Sequence, residues 1–573
     1  TDRRTHPLRL ELHSYFFTQA IAGPERSRLF SAFLHAMIWA TVVILPVLMM
    51  LYIQVVFLPY HDIDITWSHR IALVAEALLL LAIGIFLKRT ETKYWAAFWR
   101  SARYSPLQFA ISGALFIAML LFSFFVATVP DEAIDRAMRS MPGFSVQRVA
   151  VAGTEGPSRD IFSLTALLFE GHWDPKTARY ASLFQRNLVV TDLDLVSNKD
   201  EVQGEVTVSL RDRDLRLAKL DRSDLHGADF TGANLEQATL VGADLRGAKF
   251  SCADPEQART AERDALEGCA RLADAVLDRA NLSGADLTFA NLSGASFEEA
   301  NLQRSNLAYA QAIGTNFTSA DLTNADLSTK ADFSGANFLS AKMHGVNLNN
   351  AYLFVTNLSS AELQGSHFRF ALAVGANFKN AEIDAGSLRD ARLYGADLGS
   401  ISARGVDFSQ AQIWNSRLPG KDAKLELADF SQIKLKPPTE RDLQSIETAI
   451  SGLFDLEVKK RLQAAAAPLT NLVDSEGWGG SEDFAAWKAL QGRGSAAGTP
   501  AFSAALTRFL VDTSCLVRWS DGGVASGVVL RALTPGFKGD APTIFQRLGS
   551  SRCPAKVSVS AALMQRLAVS VEG

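Results

Sequence analysis

Few residues in this 573-residue chain are of a type and spacing that could do chemistry. The nine histidines are His6, His13, His35, His61, His69, His172, His226, His344 and His367. No two have the i, i+4 spacing that puts two imidazoles on one helix face around a metal, and no nucleophile-elbow, phosphate-loop or dinucleotide-binding context is present. His226, His344 and His367 fall at repeat positions that face water, so they read as surface side chains. His61, Asp62 and Asp64 offer cation ligands, but on a short polar loop they read first as solvated groups. Asn281, Asp286, Asn291, Asn301, Asn306, Asp321 and Asp326 form a column that could ladder a metal or a sugar. Short Asx side chains more commonly hydrogen-bond their own backbone at chain corners, and that is the reading taken here. No cofactor and no enzymatic activity is expected.

Four cysteines remain: Cys252, Cys269, Cys515 and Cys553. An even number without a Cys-x-x-Cys pair suits two disulfides in an oxidising compartment better than zinc ligation. Cys252 and Cys269 bracket an insertion, 251–271, whose sequence reads as a short helix. A bridge there closes a loop of about 17 residues, worth roughly 3 kcal/mol in the chain-entropy model. Two buried thiols are the alternative. A Cys515–Cys553 bridge would span the last helical unit.

These residues sit in a chain that counts in fives. Ala228-Asp229-Phe230, Ala233-Asn234-Leu235, Ala238-Thr239-Leu240, Ala243-Asp244-Leu245 and Ala248-Lys249-Phe250 repeat one theme. A period of five fits neither the helical period of about 3.6 nor the strand period of about 2. It fits a chain that turns a corner every repeat, stacking its Ala and Leu/Phe positions inside a solenoid. The expected stacked core includes Leu235, Leu245, Leu282, Leu292, Phe317, Phe338, Leu348, Phe378 and Leu398. The count slips by one residue at Lys330, which predicts a bulge at one corner without an end to the coil. About ten coils at one strand spacing each make a rod about 48 Å long.

Three apolar spans precede the rod: Ala32–Leu58, Ile71–Leu87 and Phe109–Val129. Each is near the roughly 20 residues needed to cross a bilayer as a helix. The first is too long and too far along the chain for an ordinary cleaved signal. Arg3, Arg4, Arg9, Arg26 and Arg28 precede span one, and Lys88, Arg89, Lys93, Arg100 and Arg103 separate spans two and three. Only Arg70 lies between spans one and two. The bias puts the tail and second loop in the cytoplasm and residues 130–573 in the periplasm of a bacterial inner membrane. Glu76, an ionisable residue inside span two, is a candidate functional position by default, with packing or snorkelling as the other reading.

The expected organisation is a cytoplasmic tail, 1–31; a three-helix transmembrane anchor, 32–129; a linker and N-terminal cap, 130–210; the repeat, 211–430; and a mostly helical, disulfide-containing region, 431–573. Asn187–Val190 and Val206–Leu210 read as strands leading into the repeat. Thr439 is an N-cap signal with apolar residues following at helical spacing, and Phe502–Leu510 reads as a further helix. Gly477–Gly480 and Gly492–Ser495 read as loops. The last region either caps the distal end, docks beside the rod or holds a partner.

The repeat resembles the pentapeptide-repeat family, whose motif is Ala-(Asp/Asn)-Leu followed by two variable residues. The resemblance covers about 40 near-matches, a little under 40% of the chain by that count. It implies a mainly β fold, a right-handed quadrilateral β-helix. The segment from Phe57 to Arg70, ahead of such a repeat, looks like a segment of membrane-anchored bacterial members. Fold alone does not carry function. Two functions are therefore weighed. One is a membrane-anchored scaffold presenting a rigid periplasmic rod to a membrane or periplasmic protein, or to a second copy, as an accessory subunit of a membrane complex. The other, implied by the family, is mimicry of DNA to bind a type II topoisomerase. That needs a strongly acidic cytoplasmic rod, whereas the net charge is only −4 and Arg211, Arg213, Arg216, Lys219 and Arg222 offset acids near the first coils. Direct nucleic-acid binding lacks a basic face.

Overall fold

The computed structural model describes residues 188, 190–196, 206–260, 268–417, 422–453, 455–470 and 477–572, together with a sparse set of earlier residues. Two compact units are distinguished, Thr1–Asn187 and Leu188–Gly573.

In the first unit residues 67–75 are helical, with Arg70 and Leu73 buried and the Arg70 guanidinium 4.8 Å from the Trp67 ring centre. Two antiparallel hairpins follow, β1 (Arg148–Val149) with β2 (Arg159–Asp160), and β3 (His172–Asp174) with β4 (Arg179–Ala181). Among the described residues no helix is long and apolar enough to cross a membrane. Glu76 and most of the three apolar spans lie outside the described residues.

The second unit is a rod with helices along it. Parallel single-residue bridges join each coil to the next at a 20-residue step, as in Asn281↔Asn301 and Asn301↔Asp321. Each five-residue repeat makes one straight segment and one turn. Ala285 N–H closes a turn on Leu282 O at 3.0 Å, with Gly284 at φ +69° between them. A left-handed third residue is what a type II turn demands, and glycine or asparagine meets that demand at least cost. Four such corners close a coil. The Asx column serves these corners. The Oδ1 atoms of Asn281, Asp286, Asn291, Asn301, Asn306, Asp321 and Asp326 each accept the backbone N–H two residues on, at 3.0–3.2 Å.

Inside, Leu235, Leu245, Leu282, Leu292, Phe317, Phe338, Leu348, Phe378 and Leu398 are fully buried. Identical side chains lie one coil apart, so Phe297, Phe317 and Phe338 stack at 5.2 and 4.8 Å. Burying one such side chain contributes roughly 1.5–3 kcal/mol. The 37-residue step from Asn234 to Arg271 is one coil plus the 17-residue loop closed by Cys252–Cys269. Helix α1 (Pro255–Thr260) opens that loop, with Asp254 accepting the Gln257 N–H at 3.0 Å. The extra residue at the slip is absorbed by two consecutive left-handed residues, Thr329 and Lys330, after which bridges continue at Asp332.

The bridge ladder is longer than 211–430. It includes Asp194, paired with Asp224, and Lys434, paired with Gln412. Leu188 and Val190 bond Lys219 in the same way, so the described part of the leading segment forms coil rather than separate strands.

Helices α2 (Glu440–Gly452), α3 (Leu456–Thr470), α4 (Glu482–Arg493), α5 (Pro500–Ser514), α6 (Gly523–Ala532), α7 (Ala541–Leu548) and α8 (Ala561–Glu572) complete the unit. Thr439 and Asp442 form a reciprocal capping box at the start of α2. Cys515, at the end of α5, is bonded to Cys553. The glycine segments read as loops are helical instead, apart from Gly480, which is a turn. Residues 477–479 are helical, Gly492 and Arg493 end α4, and Gly494–Gly498 continue as a 3-10 turn. Packing overrides the weak helix propensity of glycine there. A Cβ on Gly494 would lie 2.7 Å from the Ser431 nitrogen, so close approach to the rod is what this glycine provides.

Candidate interaction surface

A rod with four corners offers four columns of turns, and two of the four are covered by helices. One covered column runs through Gly314, Gly335, Val355, Gly375 and Gly395, and α3 lies on it. A Cβ added at Gly335 would come within 2.7 Å of Val458 Cγ1, and one at Gly375 within 2.6 Å of Ala465 Cβ. Arg461 adds a 2.6 Å hydrogen bond to the Val355 carbonyl. The other covered column is Gly345, Gly365, Ala385 and Gly405. There a Cβ at Gly345 would lie 2.8 Å from the Gly523 carbonyl carbon, one at Gly365 3.1 Å from Val524 Cα, and one at Gly405 2.6 Å from Phe509. Helix α6 brings its own glycines, Gly523 and Gly527, to this contact. Small residues four apart on a helix let two backbones approach closely.

In these coils the covered corners are diagonal. Between them the columns Ser319, Ser340, Ser360, Asn380 and Asn350, Phe370 remain exposed. None of these is glycine although each has φ between +54° and +61°. In these coils every glycine corner is one that a helix covers, although Val355 and Ala385 share those columns and glycines nearer the proximal end, such as Gly247 and Gly284, stand open. The backbone requirement is the same at every corner, but the space is not.

The distal end is covered as well. Trp487 of α4 is fully buried, packs edge-on to Phe430 at 6.3 Å and donates to the Ser416 carbonyl at 3.2 Å. Gln491 donates to Ile433 O at 2.7 Å. A solenoid exposes its apolar stack at its ends, and α4 closes this one. At the α2 cap, Asp442 forms an ion pair with Arg392 at 2.7 Å and accepts from Tyr394 at 3.2 Å, so the capping carboxylate also ties helix to rod. Burial raises the Asp442 carboxyl, but hydrogen bonds from Thr439 and the charge of Arg392 outweigh it and hold the group low. Burial and the neighbouring Asp442 push the Tyr394 hydroxyl well up. The void between them, bounded by Phe354, Tyr394 and Ile446, is about 10 Å³, room for one water.

Three histidines expected at the surface are buried, because helices cover the walls or corners that carry two of them. His344 lies between Glu362, at 3.0 Å from Nε2, and Asp521, at 3.4 Å from Nδ1, with Trp519 edge-on at 4.5 Å. Lys342 is 3.4 Å from both Asp521 and Asp321. Burial pushes the Asp521 carboxyl up, yet bonds from His344 and the Gly523 N–H, with the Lys342 charge, hold it at about 2. His367 donates from Nε2 to the Gly527 carbonyl at 2.7 Å. His226 is buried nearer the proximal end, 2.6 Å from Asp224.

Asp224, His226 and Asp244 are the one group among the described residues with three ligand atoms close enough for a metal. Their chemistry opposes that use. Arg246 grips Asp244 at 2.8–3.0 Å, and Asp224 already accepts both the His226 ring and its backbone N–H. The pattern recurs on the walls, where Arg211–Asp229, Arg216–Asp214, Arg404–Asp384 and Arg417–Asp397 pair acid with base.

Sequence reasoning missed the covered corners. Their signal was present as glycines at steps of about twenty within a five-residue count, together with Gly523-Val-Ala-Ser-Gly527 on a predicted helical region.

Among known proteins, the family described as pentapeptide repeats (8 copies) matches residues 209–237, 223–258, 269–304, 295–329 and 329–353. No curated protein matches. Similar solved structures include HetL, a pentapeptide repeat protein involved in heterocyst differentiation regulation from the cyanobacterium Nostoc sp. strain PCC 7120, at 23% identity over 40% of this chain and 92% of that one, TM-score 0.21. Full-length QnrB1, a plasmid-mediated fluoroquinolone resistance protein, is 18% identical over 46% of this chain and all (100%) of that one, TM-score 0.16. AT2G44920, a pentapeptide repeat protein from the Arabidopsis thaliana thylakoid lumen, is 25% identical over 23% and 68%, TM-score 0.14. The matched residues fold into twenty-residue coils of Ala-Asx-Leu corners, so this part of the chain is built of pentapeptide repeats.

Proposed function

We propose that this protein is a membrane-anchored scaffold whose rod binds other proteins, as an accessory subunit of a membrane complex. The observation that carries the reading is that the rod already binds helices. Two diagonal corners hold helices, α3 through its side chains and α6 through close backbone contact, and two corners of the same coils stay open. The apolar spans before the rod supply the anchor, and the charge bias of their flanks supplies the periplasmic side. The role asked of the rod is binding, not catalysis, and no enzyme family is indicated by the comparisons. Pairing of wall acids with arginines argues against a surface that imitates DNA.

Topology is the test. Fusions after Gly573 to alkaline phosphatase and to a fluorescent protein active only in the cytoplasm separate the two readings. Phosphatase activity in membrane-bound material is expected. Fluorescence from the second fusion would overturn the periplasmic scaffold and favour a topoisomerase-binding role.

A further inference from the structure

We propose that α6 is held to the rod by a pH-sensitive latch, in which acid leaves its first turn anchored and releases its middle. Two rod histidines face this helix, His344 at a corner and His367 on the wall that follows it, and their surroundings have opposite sign. His344 meets the N-terminal end of α6 between two carboxylates, Glu362 of the rod and Asp521 ahead of the helix, with Lys342 bonded to the same Asp521. Both ring nitrogens of His344 are therefore held by carboxylates, which tie the start of the helix to the rod. His367 meets the helix one turn later, and its surroundings offer a proton no such place. Its Nε2–H is spent on the Gly527 carbonyl, so acid must protonate Nδ1. The charged groups around it are Arg531 from α6, which repels an imidazolium, and Asp407 from the rod, which attracts it and is shared with Arg389. Arg531 is itself buried, donating to the Ala385 and Gly405 carbonyls of the same corner. The middle of the latch thus already holds one buried cation against the rod.

Burial first, and then Arg531, pull His367 down from 6.5 to about 4 in the folded chain. A base whose folded value is lowered binds fewer protons folded than unfolded. Its contribution is complete above pH 6.5 and is lost as pH falls toward 4. At pH 5 the linkage amounts to roughly a 30-fold loss in the closing equilibrium. The consequence is a rod corner, Gly365 to Gly405, that becomes available to another helix in acid.

Hydrogen exchange of the full-length protein in detergent, at pH 7.5 and 5.0 and corrected for intrinsic rates, tests this. Protection of amides 527–532 is expected to fall about 30-fold at pH 5.0, while that of 523–525 falls less. His367→Gln keeps an amide donor for Gly527 without a titrating group, and should abolish the fall. Should His367→Gln not fold, His344→Gln provides the second arm, because it leaves His367 in place and the acid loss at 527–532 should persist; its disappearance there would overturn the proposal. Unchanged protection of 527–532 in wild type, or the same acid loss in His367→Gln as in wild type, would overturn the proposal.

Discussion

Replacing Gly527 with alanine sets two effects of known sign against each other. Residue 527 lies inside α6, where alanine is the better helix former by about 1 kcal/mol. If local propensity governed, the variant would be more stable. The geometry says otherwise. The added Cβ would sit 2.7 Å from the Gly365 carbonyl carbon and closer still to its oxygen, inside any real van der Waals contact. The atom it meets is rod backbone, whose peptide is fixed by the 3.0 Å bond from Ser366 N–H to Leu363 O, so it cannot swing aside. The helix must retreat instead. That retreat lengthens the His367 bond to Gly527 and the Arg531 bonds to the corner carbonyls. Overpacking typically costs 1–3 kcal/mol, and each hydrogen bond strained in a buried site adds about 1 kcal/mol. The net expectation is a loss of about 3 kcal/mol, after the propensity gain is counted. Urea unfolding of the full-length protein in detergent, followed by tryptophan fluorescence, reads it. Trp519 lies beside the start of α6 and reports its release. Gly284→Asn is the control. It changes an exposed left-handed corner where an added Cβ meets nothing, and asparagine tolerates that conformation. It should cost well under 1 kcal/mol. A neutral or stabilised Gly527→Ala would refute the close docking of α6.

Phe338→Asp places an unpaired charge inside the aromatic stack and should cost several kcal/mol, with loss of the rod's far-UV signal at a lower urea concentration. Wild-type melting would mean the inward face has been misassigned. Cys252→Ser with Cys269→Ser opens the 17-residue loop and should cost roughly 3 kcal/mol. Because Arg271 re-enters the ladder through backbone bonds to Ala233 and Leu235, the coils on either side should keep their hydrogen-exchange protection.

What the sequence made legible was whatever repeats. The inward Ala and Leu/Phe, the Asx corner and the slip at Lys330 each follow from a count of five, since every repeat restates the same local geometry. The Thr439 cap was legible for the same local reason: its Asp442 partner is three residues away. What stayed hidden depends on distant chain. His367 is buried by Gly527, 160 residues on, and His344 by Asp521, 177 residues on. A water-facing repeat position is a fair expectation until another part of the chain covers it. Gly494 illustrates the converse. It read as a loop because glycine weakens helices, yet it is retained for its contact with Ser431. The corner glycines combine both lessons. Each is locally explained by its positive φ, so the second reason, room for a helix, shows only when covered and open corners are compared.

The central claim is that open corners of the rod bind a protein partner at the membrane. The most direct measurement is recovery of tagged full-length protein from membranes in gentle detergent, beside a Ser340→Trp, Ser360→Trp variant. These exposed corner positions can carry bulk without touching the core. The account predicts a stoichiometric membrane or periplasmic protein, or a second copy, with wild type, and its loss with the variant at unchanged stability. Equal recovery with both proteins, or recovery of a soluble chain bound to a topoisomerase, would contradict it.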